Sequence, residues 1–585
     1  MARATNAELA ARFEEFADLL AADDVAYKPR AYRRAADAIK AHPAPLASAV
    51  ESGNEEILET LEGVGDAISA KIVEYVETGT IEELEELREE LPVDIVALTR
   101  VEGVGPKTVG TLYRELGVET LDDLEAAAEA GEIREVTGFG PKTEENILEN
   151  VEFARTVGER QLLGEARPLA DDTLAHLESL EAVERCEVAG SIRRWRETIG
   201  DVDVLVASEH AEAVVEAFLE WSAVDDEIEA GPEKASVRVG DVRVDLRVVV
   251  PDEFGSALQY FTGSKDHNVR LRNYAIAREM KLNEYGAFDV GDVADPDAGQ
   301  RVGERVAGET EEGMYEALGL PWIPPELREN RGEIDAAAAG RLPELLTRED
   351  VRGDLHTHTD WSDGATDIEE MVAAAAALGY EYYCVADHAE GPGMVGGVGL
   401  SETEILEQVE EIREVDEASE ITVLAGIEAN VDAEGDIGLS EAVIDALDLI
   451  VASPHSALDQ DSEAATERLL TAIDDPAVDV LGHPSGRLLN QREGLTFDAA
   501  ELGAAAAEAG TALEVNANPH RLDLWGSAVQ AAIGEGATIA INTDAHRPAT
   551  LEFVRWGVHT ARRGWAEPAD VLNTWELEEL RAFLH

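Results

Sequence analysis

The feature that most constrains the fold is a regular alternation of short apolar segments and helical segments after residue 350. Each apolar segment is separated from the next by a stretch with helical patterning. Because parallel strands need long crossover connections, which are usually helices, the alternation predicts a parallel barrel or a doubly wound sheet. The predicted strands span residues 353–358, 380–386, 421–427, 447–453, 478–482, 511–516 and 538–542.

This region also holds nine of the 13 histidines, and six of them lie at or just after the ends of predicted strands. One such histidine alone is more often a core or surface residue than a ligand. Six histidines with three carboxylates at similar positions exceed the needs of one ion, so the pattern indicates two or three metal ions. The candidate ligands are His356, His358, Asp363, His388, Glu428, His455, His483, Asp544 and His546.

This ligand set resembles that of PHP domains (polymerase and histidinol phosphatase) over about residues 351–585. The resemblance implies a distorted (β/α)7 barrel and a phosphoesterase that uses Mn²⁺ or Zn²⁺. Two substrate classes stay open for this phosphoesterase. One is a DNA 3′ end, with exonuclease and AP endonuclease cleavage, and the other is a small phosphate monoester. The resemblance implies three ligand groups: His356, His358, Glu428 and Asp544; Glu428, His455 and His483; and Asp363, His388 and His546.

A short glycine motif occurs three times in the first 160 residues, as LEGVG at 61–65, VEGVG at 101–105 and VTGFG at 136–140. A Gly-x-Gly turn before a helix exposes main-chain N–H groups that bind phosphate independently of base sequence. Three copies, two of them followed by lysine, resemble helix–hairpin–helix DNA-binding motifs. The candidate DNA contacts are Gly63, Gly65, Gly103, Gly105, Lys107, Gly138, Gly140 and Lys142.

In the sequence between the glycine motifs and the predicted barrel, three aspartates indicate a second metal site. Asp201 and Asp203 alternate on a predicted strand, so both carboxylates face one side. Asp245 lies within another apolar strand pattern and supplies a third carboxylate. Asp-x-Asp alone is more often a solvated strand face, but the upstream Gly190-Ser191 and the following arginines favour a two-metal site for phosphoryl transfer.

These aspartates, GSIRR at 190–194 and YFTGSKDHN at 260–268 resemble family X DNA polymerases, the relatives of DNA polymerase beta. The resemblance covers residue 1 to about 330. It implies a catalytic triad of Asp201, Asp203 and Asp245 with Mg²⁺ or Mn²⁺, acting on dNTPs and on gapped or nicked DNA in base excision repair. The residues implied to bind the nucleotide or the new base pair are Gly190, Ser191, Arg194, Gly200, Tyr260, Phe261, Gly263, Asn268 and Arg272.

The N-terminal helical region resembles the lyase region of the same family. Lys71 lies where the family carries its Schiff-base lysine, and Lys28, Tyr32 and Arg33 fall at positions implied to contact DNA on the 5′-phosphate side. Two interpretations of Lys71 stay open. It is either the nucleophile of a 5′-deoxyribose-phosphate lyase, which requires a lowered pKa, or a lysine that contacts DNA or solvent.

The net charge of −77, from 124 acidic and 47 basic residues, opposes a DNA partner, because DNA-binding domains usually carry a basic face. An acidic surface is also typical of proteins kept soluble in concentrated salt. Only eight of the basic residues are lysines, which favours this halophilic interpretation. The acidity therefore does not exclude DNA.

We expect a cytoplasmic monomer, associated with the nucleoid during repair. No apolar run is long enough for a bilayer, no signal-peptide pattern begins the sequence, and two cysteines exclude a disulfide framework.

The sequence thus predicts a multidomain chain, in which a helix–hairpin–helix region and an α+β nucleotidyltransferase palm precede the α/β barrel. We expect a gap-filling DNA polymerase with 3′→5′ exonuclease activity. The alternatives are a non-catalytic scaffold that binds DNA ends, or a barrel that acts as a small-molecule phosphatase. The predicted domains are 1–87 (lyase-like), 88–160 (helix–hairpin–helix), 161–255 (palm), 256–330 (thumb-type), 331–350 (linker) and 351–585 (PHP).

Overall fold

The computed structural model describes residues 6–23, 25, 28–41, 46–51, 58, 61, 64–101, 103–157, 160–240, 242–391 and 398–584. The chain forms two compact units. One contains Met1–Gln161 and Glu212–Leu246, and the other contains Leu162–Ala211 and Arg247–His585.

The first unit is mainly helical, and its core is formed by apolar side chains such as Leu9, Phe13 and Phe16, which are fully buried. Local sequence signals set several helix ends. Thr120 and Asp123 form a capping box, and Gly79 and Gly117 end helices in the left-handed conformation. The helices are Asn6–Ala22, Lys28–Ala41, Leu46–Glu51, Asp66–Thr78, Glu82–Glu90, Ile95–Leu98, Pro106–Leu116, Leu121–Glu129, Pro141–Val157 and, at the start of the second segment, Ala211–Leu219.

Each of the three glycine motifs is followed directly by a helix, as predicted. Helices begin at Asp66, Pro106 and Pro141, one residue after the last glycine of each motif. Gly103 and Gly138 have φ values of 80° and 100°, which favour glycine, so these turns require the residue that the motif supplies.

Among the described residues, the middle of the chain forms ten short strands, β1 to β10 in chain order: Gln161–Leu162, Arg185–Val188, Thr198–Ile199, Asp201–Ala207, Asp226–Ala230, Lys234–Val239, Val242–Val249, Met280–Asn283, Gly286–Asp289 and Glu304–Ala307. Strands β2, β4, β7, β6 and β5 form a five-stranded sheet in that order, and β10, β9 and β8 form a three-stranded antiparallel sheet. The helices of this region are Leu163–Glu178, Gly190–Arg193, Phe254–Thr262, Lys265–Ile276, Glu311–Glu316 and Glu333–Ala338.

The C-terminal region forms a parallel sheet of seven strands, β11 to β17, that follow one another in chain order. Thr357 after the first strand bridges Ala545 after the last, which brings the sheet close to a closed barrel. The predicted barrel is therefore confirmed. Its strands are Gly353–Asp354, Tyr382–Val385, Thr422–Val431, Leu449–Pro454, Val480–Leu481, Ala512–Asn516 and Ile539–Asn542; its helices are Ile368–Ala377, Glu402–Ala418, Glu441–Ile444, Ser462–Ile473, Ala499–Ala509, Gly526–Gly534, Val554–Arg563 and Leu577–Phe583.

The segment predicted as a linker, 331–350, is packed in the structure. Ile334 and Ala337 are buried in the same apolar cluster as Met314, which belongs to the thumb-type region. Leu346 is buried in the barrel core. The segment therefore contacts both parts of the second unit.

Candidate active sites

The nine predicted barrel ligands come together around Glu428 on β13. Its carboxylate is fully buried, and Nε2 atoms of His356, His455 and His483 lie 3.4, 3.3 and 3.1 Å from Oε1. The Nδ1 atom of His388 lies 2.5 Å from Oε2. With Nε2 of His358 at 3.8 Å from Oε2, five imidazoles surround one carboxylate.

The remaining ligands lie beside this centre. Nε2 of His358 is 3.1 Å from Asp544, and Nε2 of His546 is 3.3 Å from Asp363. Donor atoms within 4.8 Å of one another define three groups: His358, Asp363, His388 and His546; His356, His358 and Glu428; and His388, Glu428 and His455. The grouping differs in part from the one the resemblance implies, since His388 lies near both Asp363 and Glu428.

Several donor atoms are buried but not hydrogen-bonded to any described residue. They include Nε2 of His356, both ring nitrogens of His358 and Oε2 of Glu428. These atoms are close together yet poorly aligned with one another, as expected when they point at a common centre between them. Leaving them without partners would be costly, so the donor set fits metal ions.

Electrostatics separates the pKa values of neighbouring groups. Burial alone would raise the pKa of Glu428, but the charges of His388, His455 and His356 hold it well below its ordinary value. Burial lowers the pKa of His358 to about 4, assisted by His546 and His388. His388 is buried too, but Glu428 and Asp363 raise its pKa to about 10. Glu428 is thus a carboxylate at neutral pH.

Residues that the sequence did not single out orient the histidines. Nδ1 of His356 donates to Glu514 at 2.8 Å, and Nδ1 of His455 donates to Asn430 at 2.7 Å. A proton on Nδ1 leaves Nε2 free to bind a metal. Glu514 lies in β16 and Asn430 in β13, each close to the carboxyl end of its strand. This position is the only sequence signal that could have identified them.

The three predicted palm carboxylates also come together. One oxygen each from Asp201, Asp203 and Asp245 lies within 4.8 Å of the other two. Asp245 accepts hydrogen bonds from Ser236 and Arg243. A β-carbon added to Gly190 would lie 2.0 Å from Oδ2 of Asp203, so only glycine leaves that carboxylate its place.

Arg194, a predicted nucleotide-binding residue, is held on two sides. Its Nε donates to Glu329 at 3.1 Å and its Nη1 donates to the carbonyl of Thr262 at 2.5 Å. Ser191 is half-buried and Gly200 is exposed just before β4. Gly263, another predicted nucleotide-binding residue, has a φ of 69°, a positive value that favours glycine.

The other predicted nucleotide-binding residues lie on or near two consecutive helices. Asn268 donates to the carbonyl of Tyr260 at 2.7 Å and accepts from Gln259 at 2.8 Å. Arg272 donates to the carbonyl of Asn268 at 3.3 Å, and the rings of Tyr260 and Phe261 meet edge to face. These side chains share one local network.

In the N-terminal unit, Lys71 and Lys28 contact the same carboxylate. Their Nζ atoms lie 2.7 and 3.0 Å from Glu83, and the Lys71 side chain is 16% exposed. The hydrogen bond from Lys71 lowers the pKa of Glu83. Burial raises the pKa of Tyr32 to about 12, and Arg33 pairs with Asp18 at 2.6 Å.

The predicted phosphate-binding turns are open in the structure. Gly65, Gly103, Gly105, Lys107 and Lys142 are exposed. Gly138 is also exposed, Gly140 is half-buried, and Gly63 lies outside the described residues. Among the described helices, none has both the length and the apolar character needed to cross a bilayer.

Comparison with known proteins decides the family. A DNA polymerase/3′-5′ exonuclease PolX from Bacillus subtilis (strain 168) is 35% identical over 565 residues, which is 96% of both chains. The chain belongs to family X of the DNA polymerases, in the group with a C-terminal PHP domain. Matches to family profiles agree: Helix-hairpin-helix domain (4–81), SAM-like Helix-hairpin-helix tandem (95–152), DNA polymerase beta thumb (257–329) and PHP domain (354–518).

Two further relatives each match a part of this family X polymerase. DNA polymerase lambda from Rattus norvegicus is 25% identical over 319 residues, covering 51% of this chain and 52% of its own. A probable phosphatase from Caldanaerobacter subterraneus is 32% identical over 204 residues, covering 33% of this chain and 75% of its own. The family prediction is confirmed, whereas the halophilic interpretation stays a prediction.

Proposed function

We propose that this polymerase fills gaps in DNA during repair and trims DNA 3′ ends with its barrel domain. The observation that carries the proposal is the presence of two different ligand clusters in one family X chain: three aspartates in the palm and nine histidine and carboxylate ligands in the barrel. Its substrates are dNTPs and gapped or nicked DNA.

In the polymerase site, Asp201, Asp203 and Asp245 would hold Mg²⁺ or Mn²⁺. The ions would activate the primer 3′-hydroxyl and neutralise the triphosphate. Gly190 admits the Asp203 carboxylate at close range, and Ser191, Gly200 and Arg194 would bind the phosphates.

Tyr260, Phe261 and Gly263 would lie along the sugar of the incoming nucleotide, and Asn268 and Arg272 would face the new base pair. The hydrogen bond from Asn268 to the Tyr260 carbonyl supports this assignment, because it ties the two sets together. The exposed glycine turns, with Lys107 and Lys142, would hold the DNA backbone.

In the barrel site, the nine ligands would hold two or three ions, and Mn²⁺ or Zn²⁺ suits their mixed nitrogen and oxygen donors. The ions would activate water for attack on a phosphodiester. Glu428 would help to hold the ions with both carboxylate oxygens, since five imidazoles converge on them. Hydrogen bonds from His356 to Glu514 and from His455 to Asn430 would keep Nε2 of both rings facing the ions.

We propose that Lys71 also acts as a 5′-deoxyribose-phosphate lyase nucleophile and that the barrel cleaves at abasic sites. The low exposure of Lys71 supports the lyase role, and its ion pair with Glu83 opposes it, because the carboxylate occupies the amine that would have to attack the sugar. Borohydride trapping on incised abasic DNA tests the lyase. Trapping by wild type and by Lys28→Ala, but not by Lys71→Ala, supports it; trapping by Lys71→Ala contradicts it.

The proposed domain boundaries are those predicted from the sequence. The matched regions 4–81, 95–152, 257–329 and 354–518 fall inside the predicted domains 1–87, 88–160, 256–330 and 351–585. The packing of residues 331–350 against both neighbours supports a rigid connection in place of a flexible linker.

The deciding experiment uses the full chain, Mn²⁺ and a 5′-labelled primer on gapped DNA, with and without dNTPs. Asp203→Ala should abolish extension and keep shortening, and His356→Ala should do the reverse. Asp226→Ala and His210→Ala change exposed residues of the same types and serve as matched controls. If wild type binds the gap but neither extends nor shortens the primer, the chain is an end-binding scaffold. If it hydrolyses only small phosphate esters, the barrel is a phosphatase.

A further inference from the structure

One helix of the barrel domain contacts the proposed nucleotide site of the polymerase. His559, on the helix Val554–Arg563, stacks on Trp195, with ring centroids 3.4 Å apart and planes 5° apart. Four residues further along the same helix, Nη1 of Arg563 donates to the main-chain carbonyl of Arg194 at 2.7 Å. The chain thus brings residues 369 positions apart into direct contact.

Arg563 and Arg194 also share a carboxylate. Nη1 of Arg563 lies 3.2 Å from Oε1 of Glu329, and Nε of Arg194 lies 3.1 Å from the same oxygen. The side chains of Arg194 and Glu329 are each 13% exposed and that of Arg563 is 5% exposed, so solvent screens these charges weakly. Oε1 of Glu329 is therefore shared by these two arginines, while Nη1 of Arg196 lies 3.9 Å from the other oxygen, Oε2.

The backbone beside Arg194 adds a second observation. Trp195 has φ 54°, a left-handed conformation that residues other than glycine rarely adopt. Such a conformation persists only where surrounding contacts impose it. Here the neighbouring carbonyl is held by Arg563 and the ring is held by His559, both from the barrel domain. The local backbone of the nucleotide site thus depends on the barrel.

We propose that Arg563 of the barrel domain is a positioning residue of the polymerase site. It fixes the Arg194 backbone and draws part of the Glu329 charge away from the Arg194 guanidinium. This inference rests on the proposed role of Arg194 in binding the triphosphate. Without Arg563, Oε1 of Glu329 is left to Arg194, so the ion pair holds that guanidinium more firmly and makes it less available to an incoming nucleotide.

The neighbouring Arg562 offers a matched control. It lies on the same helix and also links the barrel to the thumb-type region, but its partners are Glu326 at 2.8 Å and the Leu346 carbonyl at 2.8 Å. Neither partner contacts Arg194. A general weakening of the domain contact should therefore follow from either substitution, whereas an effect on nucleotide binding should follow from Arg563 alone.

The test measures KM for dNTP and kcat on gapped DNA with full-length variants, and exonuclease activity of each preparation as a check of folding. Arg563→Gln should raise KM about tenfold and change kcat less than twofold, while Arg562→Gln leaves KM unchanged. Arg563→Lys keeps one positive charge and should raise KM by a smaller factor. This milder variant decides the matter should Arg563→Gln fail to fold.

A double substitution separates positioning from mere structural support. Adding Glu329→Gln to Arg563→Gln removes the carboxylate that holds Arg194, so KM should return toward the wild-type value. A further increase in KM, or an equal increase for Arg562→Gln, would overturn the inference. An unchanged KM in Arg194→Gln would instead refute the proposed role of Arg194. A raised KM in Arg194→Gln with normal KM in Arg563→Gln would refute the positioning role alone.

Discussion

Replacing Glu514 by glutamine should weaken metal binding at the barrel site, because all the groups around this carboxylate are donors. Its Oε1 accepts from Nδ1 of His356 at 2.8 Å and from Asn542 at 2.9 Å. Its Oε2 accepts from the main-chain N–H of His483 at 2.6 Å. Burial alone would raise the pKa of Glu514, but the charge of His356 and its hydrogen bond bring it below the ordinary value. Glu514 is therefore an ionised, acceptor-only group.

Glutamine offers one acceptor oxygen and one donor amide, so one side of it must face donors. If the amide faces His356, the imidazole proton moves to Nε2, the atom that lies 3.4 Å from Glu428 and would bind the ion. If the amide faces His483, the main-chain hydrogen bond is lost. Loss of such a supporting partner typically costs ten- to a hundredfold in metal affinity, which corresponds to about 1.4–2.8 kcal/mol.

The assay is titration of the metal-free protein with Mn²⁺ by calorimetry, with bound metal measured after dialysis. Asp461→Asn is the matched control, since it also removes one carboxylate charge from the barrel domain, at the exposed start of the helix Ser462–Ile473. Its affinity for Mn²⁺ should be unchanged. Wild-type affinity and stoichiometry in a folded Glu514→Gln protein would refute the argument that Glu514 sets the His356 tautomer.

Two other predictions concern the palm and the domain contact. Gly190→Ala places a β-carbon against the Asp203 carboxylate, at a residue whose φ is 59°. Primer extension should therefore slow by about a hundredfold, with primer shortening as the internal control. Normal extension would contradict the crowding argument. Burial alone would raise the pKa of Glu326, but His559 and Arg562 hold it at about 2. Its stabilisation is therefore complete above the unfolded pKa of about 4.5 and fades as pH falls toward 2. Denaturant unfolding should show Glu326→Gln less stable than wild type at pH 7, with a smaller difference at pH 3; a constant difference would exclude this titration.

The sequence predicted the seven barrel strands because each is an apolar segment followed by a helix, whereas their order in the sheet is a finding of the structure. The first strand was predicted to be too long: it was expected at residues 353–358, and in the structure it is Gly353–Asp354. Directly after it the ladder is interrupted, since Leu355 N–H donates to the Asn542 side chain and His356 N–H to the Asp354 carboxylate. Main-chain pairing resumes at Thr357, which bridges Ala545. The chain bends there and turns its histidines into the site.

The clustering of the predicted ligands follows from the sequence, but their hydrogen-bond partners do not. Histidine is rare in this chain, so histidines at strand ends stand out, whereas Glu514 is one of 124 acidic residues. Its contact with His356 joins positions 158 residues apart, and no local pattern encodes that pairing. The same holds for Arg563 and Arg194, whose helix and loop carry no signal of each other until the chain is folded.

Ion pairs of buried arginines with glutamates stabilise the packing within this acidic chain. Arg328 is fully buried and donates to Glu311 at 2.6 Å, and Arg193 donates to the same carboxylate at 2.8 Å. Salt screens exposed ion pairs strongly and buried pairs weakly, while removal of one buried partner typically costs about 3–5 kcal/mol. DNA phosphate contacts, in contrast, weaken steeply with salt. Rising salt should therefore reduce DNA affinity well before it disturbs the contact between the thumb-type and barrel regions, so salt should first limit the binding of DNA, with the Arg194–Glu329–Arg563 arrangement still in place.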